Sequence, residues 1–306
     1  MKHGTIGDGR KFGLAATMVT AFIWAWPTIF IKLLSYDFDI FTQSFYRYLA
    51  SASFLGIIAI VFMRKDLTKA ARRMKALVLP AILVSLFQMT NVAGVYLTNA
   101  TMTGLISRTS VAFIALFSYV LYEAERRVMR SRYFLLANSL IVAGVLGLVL
   151  GQPKVELEFN LGVLITIGAA FFWAAYIISI RRIVDEFSPI AAMPIVHLMG
   201  AGIFLPTAIV FGDITRVTAV GWEVNLLLAG SGVLCVGLGN VANYLAIRHL
   251  GTTLPANIMT FKPLLTMFFA YLILDEVLTI PQLLSGILFL AGTWLMIRKV
   301  SVRYQE

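Results

Sequence analysis

Apolar residues in this chain run in blocks of about twenty, the length a helix needs to cross a bilayer, and most charged residues fall between the blocks. The pattern predicts ten spans, at 12–34, 40–63, 76–97, 101–121, 133–151, 160–182, 189–211, 225–247, 254–274 and 279–298. One stretch occurs twice. Ala21–Phe38 reads AFIWAWPTIFIKLLSYDF, and Ala170–Phe187 reads AFFWAAYIISIRRIVDEF. At an offset of 149, Gly13–Phe62 aligns without a gap to Gly162–Phe211, with 15 identities in 50 positions. The same offset carries Asn91-Val92-Ala93 onto Asn240-Val241-Ala242. Apolar helices resemble one another by composition, but tryptophan and asparagine are rare in them. Their coincidence at Trp24/Trp173 and Asn91/Asn240 marks a duplicated unit, giving repeats of five spans at residues 1–151 and 152–306.

An odd number of spans inverts the second repeat relative to the first. The expected fold is an all-α membrane protein of ten transmembrane helices, built as two inverted five-helix repeats about an axis in the membrane plane. Bundles of this kind place their site near the midplane, between the halves. Span one is too long for a signal-peptide core, carries Lys32 and has a counterpart in span six, so it reads as a permanent span. The longest connections, Arg64–Lys75, Tyr122–Arg132 and Gly212–Val224, leave room for tethers or short surface helices only.

Composition agrees with the pattern: 59% hydrophobic and 13% charged residues could not cover a soluble globule. The +10 net charge looks like a nucleic-acid signal until it is mapped. Of the 25 Lys and Arg residues, 19 fall on the termini and on connections of one side, and the other side holds only Lys154 and Arg216. This asymmetry places both termini in the cytoplasm of an inner-membrane protein and implies no nucleic-acid partner. The single cysteine, Cys235, lies in an apolar run, so no disulfide within the chain can form and no thiol metal site is suggested. There is no Gly-rich phosphate loop, no cofactor is implied, and no convergent set of acids, histidines or a Ser/Lys pair points to an intramembrane enzyme.

The ten spans, the two repeats and the Trp near the middle of spans one and six resemble the drug/metabolite transporter superfamily, EamA type. FYRYLASASF (Phe45–Phe54) is similar to that family's placing of an Arg early in span two. KPLLTMFFAYLILDE (Lys262–Glu276) resembles its Pro, apolar stretch and acidic end in span nine. The counterpart in span four, RTSVAFIALFSYVLYEAE (Arg108–Glu125), lacks the Pro, and either Glu123 or Glu125 could be the matching acid. The resemblance covers residues 12–298. It implies a transporter: family members export amino acids or other metabolites, and relatives exchange phosphorylated sugars or nucleotide-sugars.

Asn240, Asn243 and Tyr244 share one helical face in span eight, with Gln88, Asn91 and Tyr96 as counterparts in span three. Such groups either bond a neighbouring helix or line a watery cavity, and matched clusters in both repeats favour the cavity. Trp24 and Trp173 lie deep in their spans rather than in the interfacial belts. Trp173 with Tyr176 would make an aromatic wall, core packing being the alternative. Pro27 should bend span one and free a carbonyl beside Trp24. Lys32 can snorkel outward. Arg47, about two turns into span two, would be solvated by carbonyls, paired with Asp37 or Asp39, or functional. Arg108 and Lys262 sit on matching helices, each on the order of 10–12 Å deep from opposite faces. Cations flanking the midplane, with no acid inside any span, favour an anionic or zwitterionic substrate. His197 is the titratable candidate for a proton, or a helix-packing donor.

The expectation is a secondary-active, alternating-access transporter with a small-molecule substrate, an exporter or exchanger of amino-acid-like or other carboxylated metabolites. Arg108 and Lys262 would attract the carboxylate. Gln88, Asn91, Tyr96, Asn240, Asn243 and Tyr244 would orient polar groups, and Trp24, Trp173 and Tyr176 would contact the apolar part. Spans five and ten would buttress each half or support a homodimer in the lipid bilayer. An exchanger of phosphorylated sugars or nucleotide-linked metabolites, a lipid scramblase and a non-transporting receptor are the alternatives.

Overall fold

Large apolar side chains such as Ile57, Ile60, Val61, Ile209 and Val210 are exposed on the outside of the bundle, while Gln43, Arg47, Ser51 and His197 are buried inside it. That distribution is the reverse of a soluble domain's and fits a chain surrounded by lipid. The computed structural model describes residues 6–97, 106, 107, 109–150, 161–259, 262, 265, 280–296 and 298. Among the described residues the secondary structure is entirely helical.

Among the described residues six helical stretches are long and apolar enough to cross a membrane: Gly9–Leu34, Ile40–Phe62, Lys75–Leu97, Leu161–Arg181, Pro189–Phe211 and Trp222–Leu250. They correspond to spans one, two, three, six, seven and eight. Thr109–Leu121 and Arg132–Leu150 occupy spans four and five, and Thr253–Ile258 and Ile280–Leu295 fall within spans nine and ten. Inside the spans, Thr17, Thr20, Ser44, Ser85 and Thr166 each donate to the carbonyl four residues back. A hydroxyl buried inside the bundle is thereby satisfied within its own helix.

The packing carries the symmetry of the sequence. Span one packs on span eight, and span six packs on span three. Spans two and seven, four and nine, and five and ten meet directly. Span two also touches span eight, as span seven touches span three, and span six touches span four as span one touches span nine. Exchanging the two repeats maps this set of contacts onto itself, as a pseudo-two-fold axis requires. Spans five and ten lie against each other within one chain: Phe134, Ala137 and Ile141 pack with Met296, and a Cβ at Gly292 would fall 2.8 Å from the Ala137 carbonyl oxygen.

Candidate functional site

The centre of the bundle is built from two irregular helices. Pro27 interrupts span one, leaving helices Ile6–Ile23 and Pro27–Leu34 on either side of a tight turn. In an unbroken helix the amide of residue 27 would take the Ile23 carbonyl, and proline has none to give. That carbonyl accepts instead from the Trp26 amide at 3.3 Å and from the Cys235 thiol at 3.8 Å. Span eight widens at Gly232–Leu238 into a π turn, whose end is marked by the Gly239 amide bonding Leu234 O. Turns of this kind recur at functional sites. Trp24 Nε1 donates to the Cys235 carbonyl at 2.9 Å, so the irregular parts of spans one and eight exchange bonds. Gly239 makes the approach feasible, because a Cβ there would fall on the Trp24 indole nitrogen.

The repeat-matched tryptophans meet here. Trp24 and Trp173 are edge to face, ring centroids 5.0 Å apart, and Trp173 continues to Phe87 at 4.7 Å and Tyr176 at 5.3 Å. Both indoles stay partly exposed, so the cluster keeps part of its aromatic surface uncovered by the described residues. Tyr176 Oη donates to Asn240 Oδ1 at 3.0 Å, and Asn240 Nδ2 donates to Val236 O at 2.8 Å, which fixes both groups. Asn243 Oδ1 and Gln88 Nε2 are buried without partners among the described residues. Asn91 is half-buried. Tyr244 faces another way: its hydroxyl bonds the Ile183 and Phe187 carbonyls at 2.9 and 3.0 Å, tying span eight to the turn after span six.

Span two presents a buried polar stripe, Gln43, Arg47 and Ser51, spaced four residues apart and so on one face. Ser51 Oγ and His197 Nδ1 are 2.8 Å apart, which anchors the histidine of span seven. Gln43 Nε2 donates to Tyr96 Oη at 2.6 Å, and that hydroxyl donates to Phe38 O at 2.6 Å. Arg47 is only 1% exposed, and its Nε and Nη1 have no acceptor among the described residues. Its backbone runs so close to span eight that a Cβ at Gly232 would fall on the Arg47 carbonyl. Cys235 lies within electrostatic reach of both Arg47 and Lys262, and Lys262 is half-buried. Arg108 lies outside the described residues.

Polar fasteners join the repeats at both ends of the bundle. At the end carrying the basic connections, Glu125 is buried and accepts from Thr252 N at 2.9 Å, Thr252 Oγ1 at 2.7 Å, Thr253 N at 3.0 Å and the Thr253 hydroxyl. Of the two acids left open by the sequence, Glu125 makes these bonds, and Glu123 is exposed. Arg73 pairs with Glu186, whose carbonyl also accepts from Lys69 Nζ at 2.9 Å. At the opposite end Asp39 caps span two through the Phe41 and Thr42 amides and also accepts from the Asp213 amide at 3.0 Å. Burial pushes the Asp39 carboxyl up, but bonds from Thr42, Asp213 and Phe41 outweigh it and hold the group below its ordinary range. Arg216 Nε donates to the Asp37 carbonyl at 3.2 Å. Among the described residues Arg47 forms an ion pair with neither aspartate.

Sequence reasoning passed over Gln43, Ser51 and Cys235. The four-residue spacing of the first two around Arg47 was the available signal. For Cys235 the sequence offered only the nearby glycines.

An apolar exterior, a symmetric pair of helical repeats and a polar, aromatic centre between them define a multi-pass membrane transporter. The chain belongs to the EamA-like transporter family, whose pattern matches residues 11–150 and again 160–298. It is 28% identical over 293 residues to an uncharacterized transporter of Archaeoglobus fulgidus, covering 94% of this chain and 96% of the relative. It is 20% identical over 283 residues to an uncharacterized transporter of Haemophilus influenzae, covering 88% and 91%. A solved crystal structure superposes with a TM-score of 0.72 at 15% identity, over 92% of this chain and 96% of that one, a likeness of fold.

Proposed function

We propose that this protein is a secondary-active, alternating-access transporter that exports or exchanges small carboxylated, amino-acid-like metabolites, with both termini in the cytoplasm. The observation that carries the reading is the Trp24–Trp173 contact, where matching residues of the two repeats meet with their rings partly exposed. In spans eight and three, Asn243 Oδ1 and Gln88 Nε2 are buried without a partner among the described residues and could bond a solute. A solute held there touches both repeats, so rocking one against the other changes its access. The fasteners at the two ends, Glu125 with Thr252 and Thr253, and Asp39 with Asp213, are the contacts such rocking would open in turn. An anionic solute is favoured because no Asp or Glu occurs within residues 40–62, 75–97, 161–181, 189–211 or 224–250, whereas Arg47 is buried among them.

The test is counterflow in proteoliposomes, loaded in turn with the proteinogenic amino acids and with lactate, malate and glucose 6-phosphate. Saturable uptake of a labelled carboxylate, abolished by Trp173→Ala with the protein still folded, supports the reading. Uptake of glucose 6-phosphate alone would replace it with sugar-phosphate exchange. Orientation is separate: cysteines placed in 212–224 should label from outside the cell, and those in 64–75 only after permeabilisation.

A further inference from the structure

The guanidinium of Arg47 is a cation on the order of 10 Å into the bundle, seven residues from the start of its helix. Charges in that position carry a desolvation cost that is ordinarily offset by a paired acid or by acceptor groups. Among the described residues neither is present for Nε and Nη1. The nearest candidate carboxylate by sequence, Asp39, has both oxygens engaged with the Phe41, Thr42 and Asp213 amides. Gly232 lets span eight press against the Arg47 backbone, which fixes the root of the side chain. One turn away, Gln43 Oε1 is buried without a donor among the described residues, while its Nε2 donates to Tyr96. Two unmet donors of a cation and an unmet acceptor therefore share one face of span two. Nearby, Cys235 is bonded to both the Ile23 carbonyl and the Trp24 indole.

Resting on the transport reading above, we propose that Arg47 is the anion-receiving residue of the transport site: it binds the carboxylate of the solute, and Gln43 Oε1 accepts from an N–H or O–H on the adjacent carbon. The solute class is a 2-amino or 2-hydroxy carboxylate. Among the described residues nothing compensates the Arg47 charge, and a carboxylate held there would supply its counter-ion. A phosphomonoester dianion has no N–H or O–H on the charged group itself, whereas a 2-amino or 2-hydroxy carboxylate carries a donor one carbon from its anion and so offers a partner to Arg47 and to Gln43 together.

The experiment uses the full-length protein, with thermal-shift titration and counterflow on one carboxylate taken from the amino-acid and 2-hydroxy-acid panel, alongside its carboxamide. The wild type should bind the carboxylate at least tenfold more tightly than the amide. Arg47→Gln should lose roughly ten- to a hundredfold in carboxylate affinity and stay within about threefold of wild type for the amide. Arg47→Lys should recover part of the loss. Equal binding of carboxylate and amide by the wild type overturns the assignment without any variant, which covers the case in which Arg47→Gln fails to fold. Unchanged or non-discriminating loss in a folded Arg47→Gln overturns it too, while leaving transport standing. Movement of none of these solutes by the wild type sinks the transport reading, and the assignment with it.

Discussion

Glu125 and Arg47 are both buried charges in a membrane bundle, and the protein treats them in opposite ways. The carboxylate receives two backbone amides and two hydroxyls from Thr252 and Thr253. The guanidinium has two nitrogens whose N–H groups find no acceptor among the described residues. A satisfied buried charge locks the elements that satisfy it, because separating them strands every partner at once. A buried charge left unsatisfied gives up stability and keeps its binding capacity. The first is a fastener, and the second is a cation whose charge none of the described residues meets.

The largest test of this contrast removes the fastener. Glu125→Ala should destabilise the protein by several kcal/mol, since it leaves two amides and two hydroxyls without their acceptor and each buried donor so stranded costs about 1–3 kcal/mol. Thermal unfolding in detergent would show it, and an unchanged midpoint would place Glu125 outside the load on that end of the bundle. Next in size, Arg47→Met should move stability the other way. An apolar side chain of similar length removes an uncompensated charge, so a gain of about 1–4 kcal/mol is expected, together with loss of carboxylate transport. If Arg47→Met is strongly destabilised, Arg47 is held by structure and the contrast fails.

These two residues also mark how far the sequence could be read. The repeat offset identified Trp24 and Trp173 as partners, and they touch. Pro27 foretold the break in span one, because a missing amide is a local fact that no packing can restore. The symmetric helix pairing likewise followed from an odd span count. What stayed hidden was whatever depends on distant neighbours. Nothing local separates Glu123 from Glu125, and only the arrival of Thr252 and Thr253 does so. Arg47 could as well have paired with Asp39 until the Asp213 amide proved to occupy that aspartate's second oxygen. The π turn at Gly232–Leu238 also escaped, since no proline marks it and its glycines show their use only where Gly232 and Gly239 admit the Arg47 backbone and the Trp24 indole. Tyr96 and Tyr244, grouped by sequence with the solute-facing amides, bond backbone carbonyls at the ends of the bundle.

The midplane contact between spans one and eight should respond less strongly. Trp24→Phe keeps the aromatic edge against Trp173 but removes the indole donor from the Cys235 carbonyl, at a cost of about 1–3 kcal/mol. Because that bond joins the two irregular segments, solute affinity should fall along with the melting midpoint. A variant with wild-type stability and affinity would show that the bond is incidental and that the rings alone hold the centre.

The smallest effect belongs to Asp39, the counterpart of Glu125 at the opposite end. Both carboxylates accept amide bonds across the repeats, but Asp39 is only partly buried, so water can replace part of what it loses. Its folded carboxyl lies below the ordinary value of 3.8 because hydrogen bonds from Thr42, Asp213 and Phe41 outweigh the upward push of burial. A depressed folded value means the native state holds its proton less tightly than the unfolded chain does. The stabilisation is therefore complete above the ordinary value and is lost as the pH falls through the lower, folded one. Asp39→Asn keeps a side-chain acceptor for the helix cap while removing the titration, so its unfolding midpoint should fall less steeply than the wild type's at acid pH. Asp39→Ala removes the cap at every pH, and the expected loss is about 1 kcal/mol. If wild type and Asp39→Asn instead decline in parallel on acidification, the acid sensitivity of this end lies elsewhere, and Asp39 is a cap whose charge is immaterial.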